Sequence, residues 1–161
     1  MEQIFREDFI WLDEAFEDRN QFFEQIGERL YEQGKVRESF SDGLKSREAV
    51  YPTGLKTEAF EIAIPHTDVE HVKEASISFV RFKETVLFSH MGDPEIQVNA
   101  KFAFVLGVKE PSQQVEVLST LVLLISNEEE MAKLEVLDSP AQICALLNEF
   151  FKEHIDRKSV V

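Results

Sequence analysis

Cysteine is all but missing from this chain: Cys144 is the only one among 161 residues. A lone thiol forms neither an internal disulfide nor a Cys-x-x-Cys metal site. Its setting in the apolar run Ile143–Leu147 makes it a small core residue rather than a reactive nucleophile. Long hydrophobic runs are lacking as well. The greasiest stretch, Val115–Ile125, is interrupted by Glu116, Ser119 and Thr120 and falls far short of the roughly 20 residues that span a bilayer. The N-terminal Met1-Glu2-Gln3-Ile4-Phe5-Arg6-Glu7-Asp8 is charged and has no apolar signal core, so a cytoplasmic protein is expected. Proline and glycine are few, 5 and 6. No repeat, low-complexity tract or linker breaks the chain, and one domain covering 1–161 is expected. Basic residues are short too: 17 Lys+Arg stand against 31 Asp+Glu, a formal net charge of -14. A field of that sign repels phosphate backbones and anionic headgroups, which excludes nucleic acid and a membrane surface as partners. It suits a basic protein partner, met in a fast and salt-sensitive way; acidity that serves only solubility is the other reading. Neither a G-x-x-x-x-G-K-[ST] loop nor a G-x-G-x-x-G turn occurs, so no nucleotide-binding motif is present.

What the chain does have is apolar mass. Hydrophobic residues make up 43% of it and 14 are phenylalanine, ample for one sizeable core. Phe9–Leu12 reads as a short opening strand. Asn20–Gln33 carries Phe23, Ile26 and Leu30 at helical spacing, with Gly34 as the stop. Val36, Phe40 and Leu44, four residues apart, predict a second helix ending near Arg47 or Glu48. Tyr51-Pro52-Thr53-Gly54-Leu55 is turn chemistry. Strand-like runs follow at Ala59–Ile64, Ala75–Phe82, Val86–Phe88 and Val98–Val108, and the nearly continuous apolar Phe102–Val108 predicts a strand covered on both faces. The last third is helical: Val115, Leu118, Val122 and Ile125 form one stripe. Asn127 with Glu130 resembles a capping box, and Ser139-Pro140 reads as an N-cap followed by a first-turn proline. Helices at both ends with strands between predict an α/β fold, a three-layer α/β/α sandwich around a central mixed β-sheet.

Chemistry is sought first among the histidines. His90 stands in a loop between Ser89 and Met91, and His154 in the polar C-terminal tail; neither setting calls for a role. His66 differs, because it follows Ile62-Ala63-Ile64-Pro65. Proline holds Ile64 extended and removes a ladder donor, so it ends the pairing there. His66 is thereby placed on a stiff backbone at a strand end, where α/β proteins often keep active-site residues. From spacing alone, a loop histidine with no duty fits at least as well.

The surrounding residues narrow this. Arg47-Glu48, then Tyr51-Pro52-Thr53-Gly54, then Ile62-Ala63-Ile64-Pro65-His66 resembles the phosphohistidine signature of the IIA components of the phosphoenolpyruvate-dependent sugar phosphotransferase system, in the fructose–mannitol class. The likeness runs from about residue 8 to the last helix. Within the class the chain is most similar to galactitol-type IIA proteins, which share R-E-A, an aromatic residue before P-T-G, and a second histidine five residues after the first, here His71. Glu110-Pro111-Ser112-Gln113-Gln114-Val115 also resembles their loop before the long helix.

The resemblance implies a phosphotransferase that takes a phosphoryl group from a phosphohistidine on the carrier HPr. It would hold the group on His66 and pass it to a cysteine of a IIB partner, with a membrane IIC permease involved indirectly. No cofactor and no metal is implied. His66 would attack as neutral imidazole, and Arg47 would grip the phosphoryl oxygens with its permanently charged fork; otherwise Arg47 is a helix-end arginine facing the dipole. Thr53, Gly54, His71 and Gln114 are carried over as supporting residues. Many relatives have a second active-site histidine where this chain has Gln114, which donates a hydrogen bond but takes no proton. Either the charge is shared differently or His71 supplies the missing ring, unless His71 is only a solvated surface residue. The motif is poor in acid, so the acidic residues are expected to surround the pocket and not to line it. Two further readings stay open: a regulatory IIA domain, nitrogen-related or non-catalytic, that signals by protein binding, and a zinc site of His66, Asp68 and His71, which lacks a fourth ligand.

Overall fold

The apolar runs of the chain become one mixed sheet of β1 (Ile10–Glu14), β2 (Gly54–Lys56), β3 (Glu61–Ala63), β4 (Ser76–Ser89) and β5 (Gln97–Gly107), in spatial order β1-β4-β5-β3-β2. The computed structural model describes residues 4–160; Met1–Gln3, which belong to the charged N-terminal stretch, lie outside the described residues, as does Val161. β1 runs parallel to β4 and β3 parallel to β5, while β4–β5 and β2–β3 are antiparallel.

Two helical layers cover this sheet: α1 (Arg19–Glu32) and α2 (Phe40–Val50) on one face, α3 (Pro111–Ile125), α4 (Glu128–Val136) and α5 (Pro140–Val160) on the other. The strands alternate between them because successive side chains point to opposite faces. Phe102, Phe104 and Leu106 join Val117, Leu121, Met131, Leu134, Ile143 and Leu147 in one core. Ala103 and Val105 join Phe22, Phe23, Ile26, Phe40 and Leu44 in the other. The expected three-layer α/β/α sandwich is what forms. Cys144 is buried in the first core, its thiol donating to Phe5 O at 3.2 Å.

Local signals set the helix ends. Asp18 caps α1 by accepting from Gln21 N at 2.8 Å. Gly34 ends it with φ +74°, and Lys35 N and Gly34 N close back onto Leu30 O and Tyr31 O, the paired bonds of a Schellman ending. Asn127 Oδ1 accepts from Glu130 N at 3.1 Å and Ser139 Oγ from Gln142 N at 3.4 Å, so both expected caps are made.

Several boundaries differ from the pattern. Ala75–Phe82 and Val86–Phe88 are one strand, β4: the exposed Lys83-Glu84-Thr85 sits where the register with β5 shifts, an interruption absorbed as a bulge rather than a break. Val36 lies outside α2 and pairs instead with Val72, and α2 runs on to Val50. Gly54 and Leu55, read as turn, begin strand β2. On α3, Val115 and Val122 are exposed while Val117, Leu121 and Leu124 are buried; so many positions of this helix are apolar that a 3.6-residue period fits more than one face. His154 is within α5, stacked on Phe150 with ring centroids 3.9 Å apart. Arg81, unremarked in the sequence, is buried and holds three elements together. Its guanidinium donates to both carboxylate oxygens of Asp13 at 3.0 and 2.9 Å and to Leu134 O and Leu137 O at the end of α4.

Candidate active site

The site lies where parallel β3 and β5 end. Pro65 lacks an N–H, yet its carbonyl still accepts from Leu106 N at 2.9 Å, and His66 bridges to Leu106. Pairing therefore outlasts the proline by one residue, contrary to the expectation that it stops there, because only the donor is lost. β5 leaves this point and starts α3 within a few residues, bringing Gln114, half-buried in the first turn of α3, to the same end of the sheet. The start of β2, Gly54, pairs with Ala63 at that end too, and the last turn of α2 leads into it.

His66 is half-buried, and its Nδ1 lies 2.8 Å from Ile64 O. A carbonyl accepts only, so Nδ1 carries the proton and Nε2 keeps its lone pair. Burial holds the imidazole below its ordinary pKa of 6.5, the Ile64 carbonyl pulls the other way, and the Arg47 charge lowers it further. The ring thus favours its neutral form, with the lone pair on Nε2.

Arg47 stands in the last turn of α2, with Nη1 3.3 Å from Asp68 Oδ1 and Cζ 5.1 Å from the Tyr51 ring centroid. Its Nε is buried with no partner among the described residues. Arg47, Asp68 and His71 line one open cleft of ≈ 360 Å³ with Asp42 and Ser39, and His66 is not among the lining residues. Two carboxylates, Asp42 and Asp68, therefore line the cleft together with Arg47. The cleft is narrow at its floor: a Cβ at Gly43 would lie 2.7 Å from Thr67 Oγ1 and 2.9 Å from His71 Cδ2. His71 is tied down, with Nδ1 2.7 Å from Ser39 Oγ and Nε2 3.5 Å from Glu70 Oε1; it is not a free surface ring.

Thr53 and Gly54 serve the scaffold. Thr53 is buried, donating Oγ1–H to Glu48 Oε1 at 2.9 Å and N–H to Glu48 Oε2 at 2.6 Å. Glu48, also buried, was missed as a site residue, although it stands beside Arg47 five positions before Thr53. Burial pushes its carboxyl up against the opposing pull of the two Thr53 donors. A Cβ on Gly54 would lie 2.6 Å from Ser89 O, and Gly54 O accepts from Met91 N, so the hairpin end at His90 closes against β2. His90 bridges to Gly54 and its Nδ1 accepts from Gly92 N. Together these contacts clamp the segment between Arg47 and His66 from both sides.

Residues 3–150 match the family described as phosphoenolpyruvate-dependent sugar phosphotransferase system, EIIA 2. The chain belongs to this family. It is 33% identical over 107 residues to the galactitol-specific EIIA component of Escherichia coli strain K12, covering 66% of this chain and 71% of that protein. Among solved structures it is similar to enzyme IIAMTL in its complex with phosphorylated enzyme IIBMTL from Escherichia coli, with TM-score 0.71, 22% identity, and 87% and 94% of the two chains covered. It is also similar to the nitrogen regulatory protein IIA-Ntr from Neisseria meningitidis, with TM-score 0.70, 26% identity, and 89% and 96% covered. EIIA components are phosphotransferases of a phosphoryl relay. Among the described residues no helix is long and apolar enough to cross a membrane.

Proposed function

We propose that this EIIA chain, one domain over 1–161, takes a phosphoryl group from the phosphohistidine of HPr onto Nε2 of His66. It then passes the group to a cysteine of a cognate IIB subunit, in the cytoplasm, for uptake of a sugar or sugar alcohol of galactitol type. The observation that carries this is the contact of His66 Nδ1 with Ile64 O at 2.8 Å: a carbonyl only accepts, so the proton is on Nδ1 and the basic nitrogen is Nε2. As the Nε2–P bond forms, the donor N–P bond breaks, and the bond made is of the same kind as the bond lost. Such a reaction needs positioning and cover for oxygen charge more than covalent help. Arg47 supplies the fixed cation, and Gln114 in the first turn of α3 is the neutral hydrogen-bond donor of this reading. His71, whose Nδ1 is engaged by Ser39, shapes the cleft. The galactitol assignment rests on the 33% likeness to that component. A regulatory role is the second reading, favoured by the 26% likeness to the nitrogen regulatory protein.

Incubation with phosphoenolpyruvate, enzyme I and HPr should add one acid-labile phosphoryl group, read by mass spectrometry. His66→Gln should take none while its circular dichroism is unchanged, since the ring stands at a strand end outside both cores. Full labelling of His66→Gln would move the role to another histidine. Onward transfer to a IIB cysteine separates transport from a signalling role that stops at the phosphorylated chain.

A further inference from the structure

Asp68 stands two residues beyond His66 and touches the guanidinium that the relay reading assigns to the phosphoryl group. The Arg47–Asp68 contact is long, 3.3 Å, and Asp68 is exposed, with 67% of its side chain in solvent. An exposed pair of this length adds little to folding, so a structural role explains it poorly. Its position explains it better. Arg47 and Asp68 act on the same imidazole with opposite sign, the cation disfavouring added positive charge on His66 and the carboxylate favouring it. A doubly negative phosphoryl group on Nε2 reverses both preferences: it attracts Arg47 and is repelled by Asp68. Arg47 has one donor already facing inward without a partner, Nε, and the Tyr51 ring lies beside its Cζ. The guanidinium is therefore only partly satisfied and has a better acceptor to gain.

We infer that Asp68 is a positioning residue that sets the phosphoryl-transfer equilibrium: it holds Arg47 in the resting chain and competes with the phosphoryl group for it. The competition keeps His66 from retaining the group too tightly and favours its passage to the next acceptor. No bond changes beyond those of the relay are involved, and the inference rests on that reading.

The test equilibrates phospho-HPr with this chain from both directions and measures the distribution of phosphoryl groups. Asp68→Asn should shift it roughly two- to fivefold toward the phosphorylated chain, the scale of one exposed ion pair, and Asp68→Glu should restore the parent value. In the unphosphorylated chain, Asp68→Asn should move the Arg47 Nε–H resonance in NMR spectra, and phosphorylation should then move it less than in the parent. An unchanged equilibrium, a shift toward HPr, or an Arg47 resonance indifferent to the substitution overturns the inference. A parent chain that takes no phosphoryl group from HPr overturns the relay reading and this inference with it. That outcome is told apart from failure of the Asp68 idea alone, in which the parent chain labels normally.

Discussion

The environment of His66 is set by burial, by the Ile64 carbonyl and the Asp68 carboxylate on its own segment, and by Arg47 on α2, and the pH dependence follows from that setting. Burial and the Arg47 charge together outweigh the Ile64 carbonyl, so the folded pKa lies below the ordinary 6.5. Protonation would occupy the Nε2 lone pair, and its midpoint lies below that value. Phosphoryl acceptance should therefore decline as pH falls, with a midpoint below 6.5; a decline centred at or above 6.5 would contradict the burial argument. The same shift affects stability. The unfolded chain protonates this histidine first, so its contribution to the fold is lost as pH drops through 6.5 toward the lower folded value. Arg47→Lys keeps the charge and loses the two-pronged grip, and transfer should slow by roughly ten- to a thousandfold, the ~1.4–4 kcal/mol scale of one stabilising donor. Arg47→Met should be slower still. Equal rates for parent, Lys and Met chains in rapid-quench experiments would place the cation elsewhere.

At the scale of elements, the link between α2 and β2 matters more than its short length suggests. Glu48 binds both the N–H and the hydroxyl of Thr53, so the turn that joins Arg47 to the sheet is fixed from inside. Glu48→Ala leaves those buried donors without acceptors and should cost about 1–3 kcal/mol. Glu48→Gln still accepts from the N–H and donates to the hydroxyl, so it should lose much less. Urea unfolding of the two variants checks this, and equal losses would mean that the charge rather than the hydrogen bonds matters. The element level is also where pattern reading slipped. The cap residues Asn127 and Ser139 were legible because a cap bonds to backbone three residues away. The face of α3 and the unity of β4 were not, because each depends on what packs across from it.

Across the whole molecule the net charge is -14, while the proposed relay uses a neutral ring and a cation. A basic carrier is steered by such a field. Phosphorylation from HPr should slow as salt rises from low to physiological levels, through the second-order association rate and not through the rate inside the complex. Stopped-flow measurement across that range decides it; a flat second-order constant would leave the acidity as a solubility feature.

The sequence by itself determined the layered α/β order, the helix ends at Gly34, Asn127 and Ser139, and the place of His66 at a strand end, because periodicity, caps and a proline act within a few residues of chain. The place of Arg47 in the last turn of α2 was legible through the four-residue spacing before it. Tertiary structure alone decided the rest. Glu48 reads as an ordinary helix carboxylate until burial and Thr53 make it a clamp. Asp68, offered by the sequence only as a zinc ligand, meets Arg47 once α2 and the turn after His66 come together, and Asp42 joins the same cleft. Arg81 reads as a strand arginine until β1 and α4 close over it. In each case the partner is set by packing between elements, and the dielectric and hydrogen-bond environment of a charged side chain exists only once that packing has formed.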